Sequence, residues 1–254
     1  MPDPHYAEPR LARIYDALDA DRSDLVAYAA MVAEFGARRV LDVGCGTGVF
    51  ACLLAERGVE VVGVDPAEAS LAVARAKPGA DRVRWILGDA TVLPPLPPIR
   101  ADLATMTGNV AQVFLTDDDW LATLRGVRAA LRPGGVLAFE TRDPARRAWE
   151  EWNRARTHAV TEIPEVGPVE SWSDVLDVSG PLVTFRQTYV FAADGAVLTS
   201  DSTLRFRERG RSGARCGRLA SASRTSGTLR IGRVASSCSW PVPLMCDLSQ
   251  LPGS

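Results

Sequence analysis

The sequence predicts an α/β fold, in which helices cover both faces of a doubly wound, mostly parallel β-sheet. Three observations predict this fold. From residue 11 to residue 140, strand-like and helix-like apolar periodicity alternate, and the loops between them are short. A glycine-rich loop directly follows the first strand. From residue 170 to residue 207 the pattern becomes β-rich with turn signals, which predicts an antiparallel β-meander inserted after the fifth strand.

Two helices are predicted before the sheet begins, over residues 11–20 and 24–35. The remaining elements follow in the order strand 39–43, helix 49–57, strand 59–64, helix 67–76, strand 83–87, strand 102–106, helix 117–131 and strand 136–140. Thr116 is predicted to cap the long helix, with Asp119 completing a capping box. Four prolines within residues 94–98 predict an irregular loop before the fourth strand.

The predicted elements group into four regions that differ in composition and in apolar periodicity. Residues 1–35 are predicted to form a helical lid, and residues 36–148 the parallel-sheet domain. Residues 149–209 form the β-rich insertion, with strands predicted at 169–177, 182–191 and 197–206. Residues 210–254 are predicted to be an irregular tail, in which Ser and Arg are frequent and Asp247 is the only acid.

Composition and charge exclude several classes of protein. With 29 Lys and Arg against 31 Asp and Glu, the net charge of −2 argues against general nucleic-acid binding. No apolar run approaches the roughly 20 residues that a membrane span needs, and the N-terminus lacks the pattern of a secretory signal. The five Cys and two His show no metal-ligand spacing. We therefore expect a cytoplasmic protein with reduced thiols, no metal site and no membrane association.

The loop Gly44-Cys45-Gly46-Thr47-Gly48 lies between a predicted strand and a predicted helix. Glycines at these positions let the backbone turn sharply and let a ligand approach closely, and the N-terminus of the next helix offers free N–H groups. Asp65 ends the next strand, roughly 20 residues further on, where a carboxylate can accept from both ribose hydroxyls. The spacing therefore predicts a nucleoside ligand.

Two kinds of nucleoside cofactor compete for this loop. Dinucleotide sites use a Gly-x-Gly-x-x-Gly pattern, whereas this loop has Gly-x-Gly-x-Gly preceded by Asp42. Asp42 can accept from a ligand ammonium, which a dinucleotide lacks. Asp89, at the end of the third strand, is placed to receive an adenine amino group. The pattern disfavours a nicotinamide oxidoreductase.

The segment from Val40 to Gly48 reads Val-Leu-Asp-Val-Gly-Cys-Gly-Thr-Gly, and Val64-Asp65-Pro66, Gly88-Asp89-Ala90 and residues 101–109 follow it in order. These segments resemble the first four motifs of the class I S-adenosylmethionine-dependent methyltransferases. The resemblance covers roughly residues 35 to 142 and is specific for a Rossmann-like fold and for the cofactor, but not for the methyl acceptor. The cofactor-binding residues that it implies are Asp42, Gly44, Cys45, Gly46, Gly48, Asp65, Pro66, Asp89, Ala90, Thr107 and Gly108.

The resemblance also assigns roles. The three glycines would surround the methionyl part and the ribose, with Asp42 near the amino group and Cys45 only a small loop residue. Asp65 would bind ribose hydroxyls and Asp89 the adenine amine, with Ala90 beside the ring. Thr107 and Gly108 would line the methyl-donor end.

The chemistry needs few catalytic side chains, because the methyl group is already activated on a sulfonium. The protein has to align the methyl acceptor and exclude water, and it needs a base only where the acceptor loses a proton. No catalytic residue is assigned. Asn109, Glu140 and Tyr15 are candidates for contacting a small-molecule acceptor, although a helix cap or an ion pair with Arg142 is an alternative role for Glu140. His158, in an Arg-rich stretch, is expected to be a solvated surface residue.

Two alternatives stay open at this point. The chain could bind S-adenosylmethionine without catalysis, or it could be an inactive product with a damaged tail. Class I methyltransferases close their sheet with two further strands, the last antiparallel, and residues 210–254 show no strand periodicity. We therefore predict that the tail is translated in a shifted reading frame, because codon logic allows a helix end and two strands in another frame. The fifth strand is then expected to keep an unpaired edge.

Overall fold

The computed structural model describes residues 2–93, 99–207 and 244–247, the last four by their backbone alone. The helices are α1 (Pro4–Ala7), α2 (Pro9–Leu18), α3 (Asp24–Glu34), α4 (Val49–Glu56), α5 (Glu68–Arg75), α6 (Asp117–Ala130) and α7 (Arg154–Thr157). The strands are β1 (Arg39–Val43), β2 (Glu60–Asp65), β3 (Val83–Leu87), β4 (Ala101–Met106), β5 (Leu131–Phe139), β6 (Ala159–Ile163), β7 (Gly167–Ser179), β8 (Leu182–Phe191), β9 (Val197–Arg205) and β10 (Leu244–Asp247).

Two sheets organise the fold. The first has six strands in the order β10-β5-β4-β1-β2-β3, of which β1 to β5 run parallel. The second has four antiparallel strands in the order β6-β7-β8-β9. The predicted Rossmann-like sheet and the inserted antiparallel meander are both confirmed.

The parallel sheet is buried on both faces, as its apolar strands predict. In β1, Leu41 packs with α6 on one face, while Val40 packs with α3 and α4 on the other. A third cluster joins Leu11 and Ile14 of α2 to Tyr189 and Phe191 of β8. The N-terminal helices therefore connect the two sheets. None of the helices in the described ranges is long and apolar enough to cross a membrane.

Among the differences from the prediction, those at β5 and β6 have a clear physical reason. Leu131 pairs with Ala101 as the first residue of β5, so α6 ends at Ala130 and the strand begins earlier than predicted. The apolar stripe of α6 continues into Leu131, and only the pairing with β4 decides the boundary. β6 was not predicted, because its residues are mostly solvent-exposed and only Ile163 is buried. The proline loop at 94–98 lies outside the described residues.

The prediction that the fifth strand keeps an unpaired edge is wrong. β10 pairs antiparallel with β5, with Leu244 opposite Phe139 and Asp247 opposite Val136. The predicted frame shift concerns residues that otherwise lie outside the described part of the chain, and it stays a prediction.

Candidate functional site

The candidate site lies where β1, β2, β4 and β5 end, which is the edge at which open α/β sheets bind their ligands. Residues 44–48 form the loop between β1 and α4, and all three glycines have positive φ, at 70°, 52° and 78°. A Cβ on Gly44 would come within 2.5 Å of Val110, and one on Gly48 within 2.5 Å of Trp85. A Cβ on Gly46 would meet nothing within 4 Å. Gly46 therefore borders open space.

Asp65 fixes the shape of this loop. Its Oδ2 accepts from the Gly46 N–H and its Oδ1 from the Ala67 N–H, both at 2.8 Å. The side chain is buried, and burial raises its pKa above the ordinary value. Each carboxylate oxygen has a second lone pair, so Asp65 can hold the loop and still accept from a ligand hydroxyl.

Asp42 lies buried beneath the same loop, 1% exposed. Its Oδ1 accepts from the Thr105 hydroxyl at 2.9 Å, while its Oδ2 has no partner in the described residues. Burial raises the pKa of this carboxyl to about 7. A buried acceptor without a donor costs free energy, so this oxygen indicates that a donor belongs here.

Asp89 and Ala90 follow β3 at the same edge of the sheet. The Gly88 N–H donates to the Asp65 carbonyl, so this turn is joined to the end of β2. Oδ1 of Asp89 accepts from the Thr91 N–H at 2.8 Å and from its hydroxyl at 2.5 Å. Asp89 is exposed and Ala90 is buried. The structure therefore places both residues beside the end of β2, where Asp65 holds the glycine loop.

Glu140 clamps the turn that follows β4. Its Oε1 accepts from the Asn109 N–H at 3.0 Å and its Oε2 from the Tyr28 hydroxyl at 3.2 Å. Burial raises the pKa of this carboxyl. Asn109 has a φ of 64°, and its buried Oδ1 has no partner in the described residues. Gly108 and Thr107 lie in the same turn, Gly108 exposed and Thr107 buried.

The ion pair between Glu140 and Arg142, one of the alternative roles considered for Glu140, is not formed. Both oxygens of Glu140 are taken by the donors of Asn109 and Tyr28, and Arg142 instead donates to Gln112 Oε1 at 3.1 Å. Sequence reasoning did not single out Tyr28 or Gln112. Tyr28 follows the apolar pattern of α3 and is indistinguishable there from a core aromatic, and Gln112 carries no pattern that marks it.

The N-terminal helices lie against the glycine loop. Asp16 of α2 accepts from the Thr47 hydroxyl and from Lys77 Nζ, both at 2.5 Å. The Tyr6 carbonyl accepts from the Ser70 hydroxyl of α5 at 3.0 Å. Tyr15 is half-buried 5.8 Å from the Tyr6 ring, and burial raises its pKa to about 12. The rings of Tyr6 and Tyr15 are therefore held near the site.

Two further predicted assignments concern reactive side chains. Cys45 is buried and its pKa lies well above the ordinary value because of that burial, so its thiol is held protonated and unreactive. His158 is exposed, and its Nε2 shares a hydrogen bond of 2.9 Å with Oε1 of Glu170 on the four-stranded sheet. Neither residue belongs to the reactive part of the site. Pro66, an exposed residue, directly follows Asp65.

Comparison with known proteins finds methyltransferases among the similar sequences. Residues 40–135 match a protein family described as a methyltransferase domain. The chain is 33% identical over 148 residues to the cypemycin N-terminal methyltransferase of a Streptomyces species, covering 57% of this chain and 60% of that protein. It is 32% identical over 130 residues to the ubiquinone biosynthesis O-methyltransferase of Idiomarina loihiensis, covering 50% and 52%. The chain spans about half the length of the curated relatives it matches.

Solved structures share the fold. The sugar N-methyltransferase KedS8 from a Streptoalloteichus species has a TM-score of 0.64 at 22% identity, covering 80% of this chain and 83% of that one. DesVI from Streptomyces venezuelae has a TM-score of 0.64 at 18% identity, covering 82% and 88%. At these identities the likeness shows the arrangement of the sheet and helices alone.

Proposed function

We propose that the chain carries a class I S-adenosylmethionine-dependent methyltransferase domain and that it transfers a methyl group from S-adenosylmethionine to a small-molecule acceptor by in-line displacement. The observation that carries the proposal is the unpartnered Oδ2 of Asp42 beneath a glycine loop that is open at Gly46. An ammonium is the donor that a buried carboxylate favours most. The methionyl end of this cofactor has an ammonium, whereas a nicotinamide dinucleotide has none.

The other residues of the crevice fit the rest of the cofactor. Asp65 is proposed to accept from the ribose hydroxyls through its free lone pairs, with Pro66 beside it. Oδ2 of Asp89 makes no hydrogen bond in the described residues and is proposed to accept from the adenine amine, with Ala90 against the ring. Thr107 and Gly108 are proposed to line the methyl-donor end.

The sulfonium of the bound cofactor supplies an activated methyl group, so the protein's part is positioning and exclusion of water. Residues 1–35 are proposed to be the lid, since Asp16 already ties α2 to Thr47 of the loop. Glu140 is proposed as a positioning residue, because both of its oxygens are occupied by the donors that fix the Asn109 turn. Asn109, whose Oδ1 is free, is proposed to contact the methyl acceptor, and Tyr15 to cover it.

The acceptor is proposed only as a small molecule. One relative is named for methylating an N-terminus and another for O-methylation in ubiquinone biosynthesis, so membership of the family does not choose the accepting atom. The net charge of −2 supports a small acceptor over a nucleic acid. We place the reaction in the cytoplasm, as the cysteine usage predicts.

Calorimetric titration of the full chain with S-adenosylhomocysteine tests the proposal. We expect saturable binding that Asp65→Asn weakens by about tenfold or more, because a charge-assisted hydrogen bond is lost. Asp81→Asn, at an exposed carboxylate outside the crevice, should bind as the native chain does. Thermal melting of each variant shows whether it is folded. A folded native chain that binds NAD and not S-adenosylhomocysteine would contradict the proposal.

A further inference from the structure

Arg142 lies in the segment that leads from the six-stranded sheet to the four-stranded sheet. Its Nη1 donates to Gln112 Oε1 at 3.1 Å, and its backbone N–H reaches the same oxygen at 3.4 Å. Gln112 is fully buried, and its Nε2 donates to the carbonyl of Arg205 at the end of β9, at 3.4 Å. The Arg142 guanidinium also lies over Trp152, with Cζ 5.4 Å from the ring centroid. The fold therefore fixes this guanidinium between the two sheets.

The guanidinium of Arg142 is not paired with an acid in the part of the chain that the structure describes, although the charge of Glu140 acts on it. No ion pair of the described residues includes it. Glu140, two residues earlier, gives its oxygens to Asn109 and Tyr28. Of the five N–H donors of this guanidinium, one, on Nη1, has an acceptor among the described residues. A half-buried cation in this condition is stabilised by an anion that the folded protein does not itself supply.

The free donors of Arg142 face accessible space. Among the described residues, the side-chain polar atoms that are both buried from solvent and without a hydrogen-bond partner belong to Arg39, Asp42, Asn109 and Arg207. No nitrogen of Arg142 is in that condition, so its unpaired donors reach solvent. Tyr6 and Tyr15 are close enough to raise the pKa of Arg142, which burial lowers, and Tyr6 also feels the charge of Asp65. Arg142 and Asp65 therefore both lie near Tyr6.

We propose that Arg142 binds a carboxylate of the methyl acceptor, which makes the acceptor a small organic acid. The inference rests on the proposed function and names the class of its substrate. A guanidinium pairs with a carboxylate through two parallel N–H···O bonds, and Trp152 beneath its plane restricts the directions from which that carboxylate can arrive. A phosphate dianion is disfavoured relative to a carboxylate monoanion, because the negative charge of Glu140 already acts on the guanidinium and would repel a second negative charge.

The test uses the full chain saturated with S-adenosylhomocysteine and follows the intrinsic tryptophan fluorescence to which Trp152 contributes. Acetate and malonate are the acid probes, acetamide and malonamide are their uncharged counterparts, and inorganic phosphate is the competing anion. We expect a saturable change with an acid and none with its amide. Arg142→Gln should weaken the acid's affinity by at least about tenfold, as expected when one partner of a charge pair is lost. Arg142→Lys should keep part of the acid's affinity, because an ammonium keeps the charge but lacks the two parallel N–H donors of a guanidinium.

Arg146→Gln is the matched control, since it removes the same charge from an exposed position four residues further on. The inference is overturned if neither acid saturates, if Arg142→Gln binds the acid as the native chain does, or if phosphate binds more tightly than both acids. Binding of S-adenosylhomocysteine is measured on the same samples. If S-adenosylhomocysteine binds and the acid probes do not, the proposed function stands and only this inference is contradicted.

Discussion

Asp42 carries the most informative single atom of the site. In the absence of a donor, its carboxyl is buried and burial raises its pKa to about 7. The folded protein therefore binds more protons than the unfolded chain between the ordinary pKa of 3.8 and 7. The stability that this group contributes is complete below that range and is lost as the pH rises through 7. An ammonium at Oδ2 would reverse this, because it favours the charged carboxylate.

The first prediction concerns Asp42→Asn. Without ligand, we expect the native chain to lose unfolding free energy when the pH is raised from 5 to 8, because Asp42 ionises in the folded state. Over the same range Asp42→Asn should lose at least about 1 kcal/mol less. The reason is that the amide cannot ionise. Urea unfolding at both pH values measures the difference, and Asp81→Asn should track the native chain. Equal pH dependence in Asp42→Asn and the native chain would show that Asp42 does not titrate in the fold.

At the scale of elements, α6 approaches the turn after β3 through a glycine. A Cβ on Gly126 would come within 2.0 Å of the Ala90 carbonyl oxygen, so only a glycine lets the helix pack on this turn. In an isolated helix, Gly→Ala stabilises by about 1 kcal/mol. We predict the opposite sign for Gly126→Ala, a loss of about 2 kcal/mol or more, because backbone must move away from backbone.

Urea unfolding of Gly126→Ala checks that sign, and S-adenosylhomocysteine titration shows whether moving Ala90 disturbs the proposed adenine end. Ala122→Gly, at a half-buried position of the same helix, should follow the ordinary propensity and lose stability. An unchanged or more stable Gly126→Ala would mean that α6 does not rest on this turn.

The sequence predicts elements well where burial alone decides them. The five parallel strands are apolar on both faces, and Thr116 caps α6 with its hydroxyl accepting from the Asp119 N–H as predicted. β6 is missed because its exposed residues carry no apolar alternation, and its pairing with β7 is what makes it a strand. Arg142 and Gln112 meet only when the loops after β4 and β5 come together. No local pattern records that contact.

The whole molecule is held together at the N-terminus by His5, which joins α1 to the four-stranded sheet. Its Nδ1 shares a hydrogen bond with the Tyr189 hydroxyl at 2.5 Å, and its backbone N–H donates to the Ser200 hydroxyl at 2.9 Å. The imidazole is buried, and burial lowers its pKa from 6.5 to about 4. The same segment contacts α5 through the Tyr6 carbonyl, so His5 positions the proposed lid between the four-stranded sheet and α5.

His5 and Asp42 make opposite contributions to the pH dependence of stability. Between pH 6.5 and 4 the folded protein binds fewer protons at His5 than the unfolded chain does, so the stability from His5 is complete above 6.5 and is lost as the pH falls through 4. Over much of the same range the Asp42 contribution grows as the pH falls. The two slopes therefore offset each other in the ligand-free protein.

Saturation with S-adenosylhomocysteine should separate them, since the ligand ammonium keeps Asp42 charged and leaves the slope of His5. We predict that the loaded protein loses stability from pH 7 to pH 4.5 more steeply than the ligand-free protein, and that His5→Gln makes the loaded profile shallower. The same variant should lose about 1–3 kcal/mol at pH 7, when a buried hydrogen bond is broken. His158→Gln, at the exposed second histidine, should keep the native profile. Thermal melting across this pH range decides: a loaded His5→Gln with the native slope would place the acid sensitivity elsewhere.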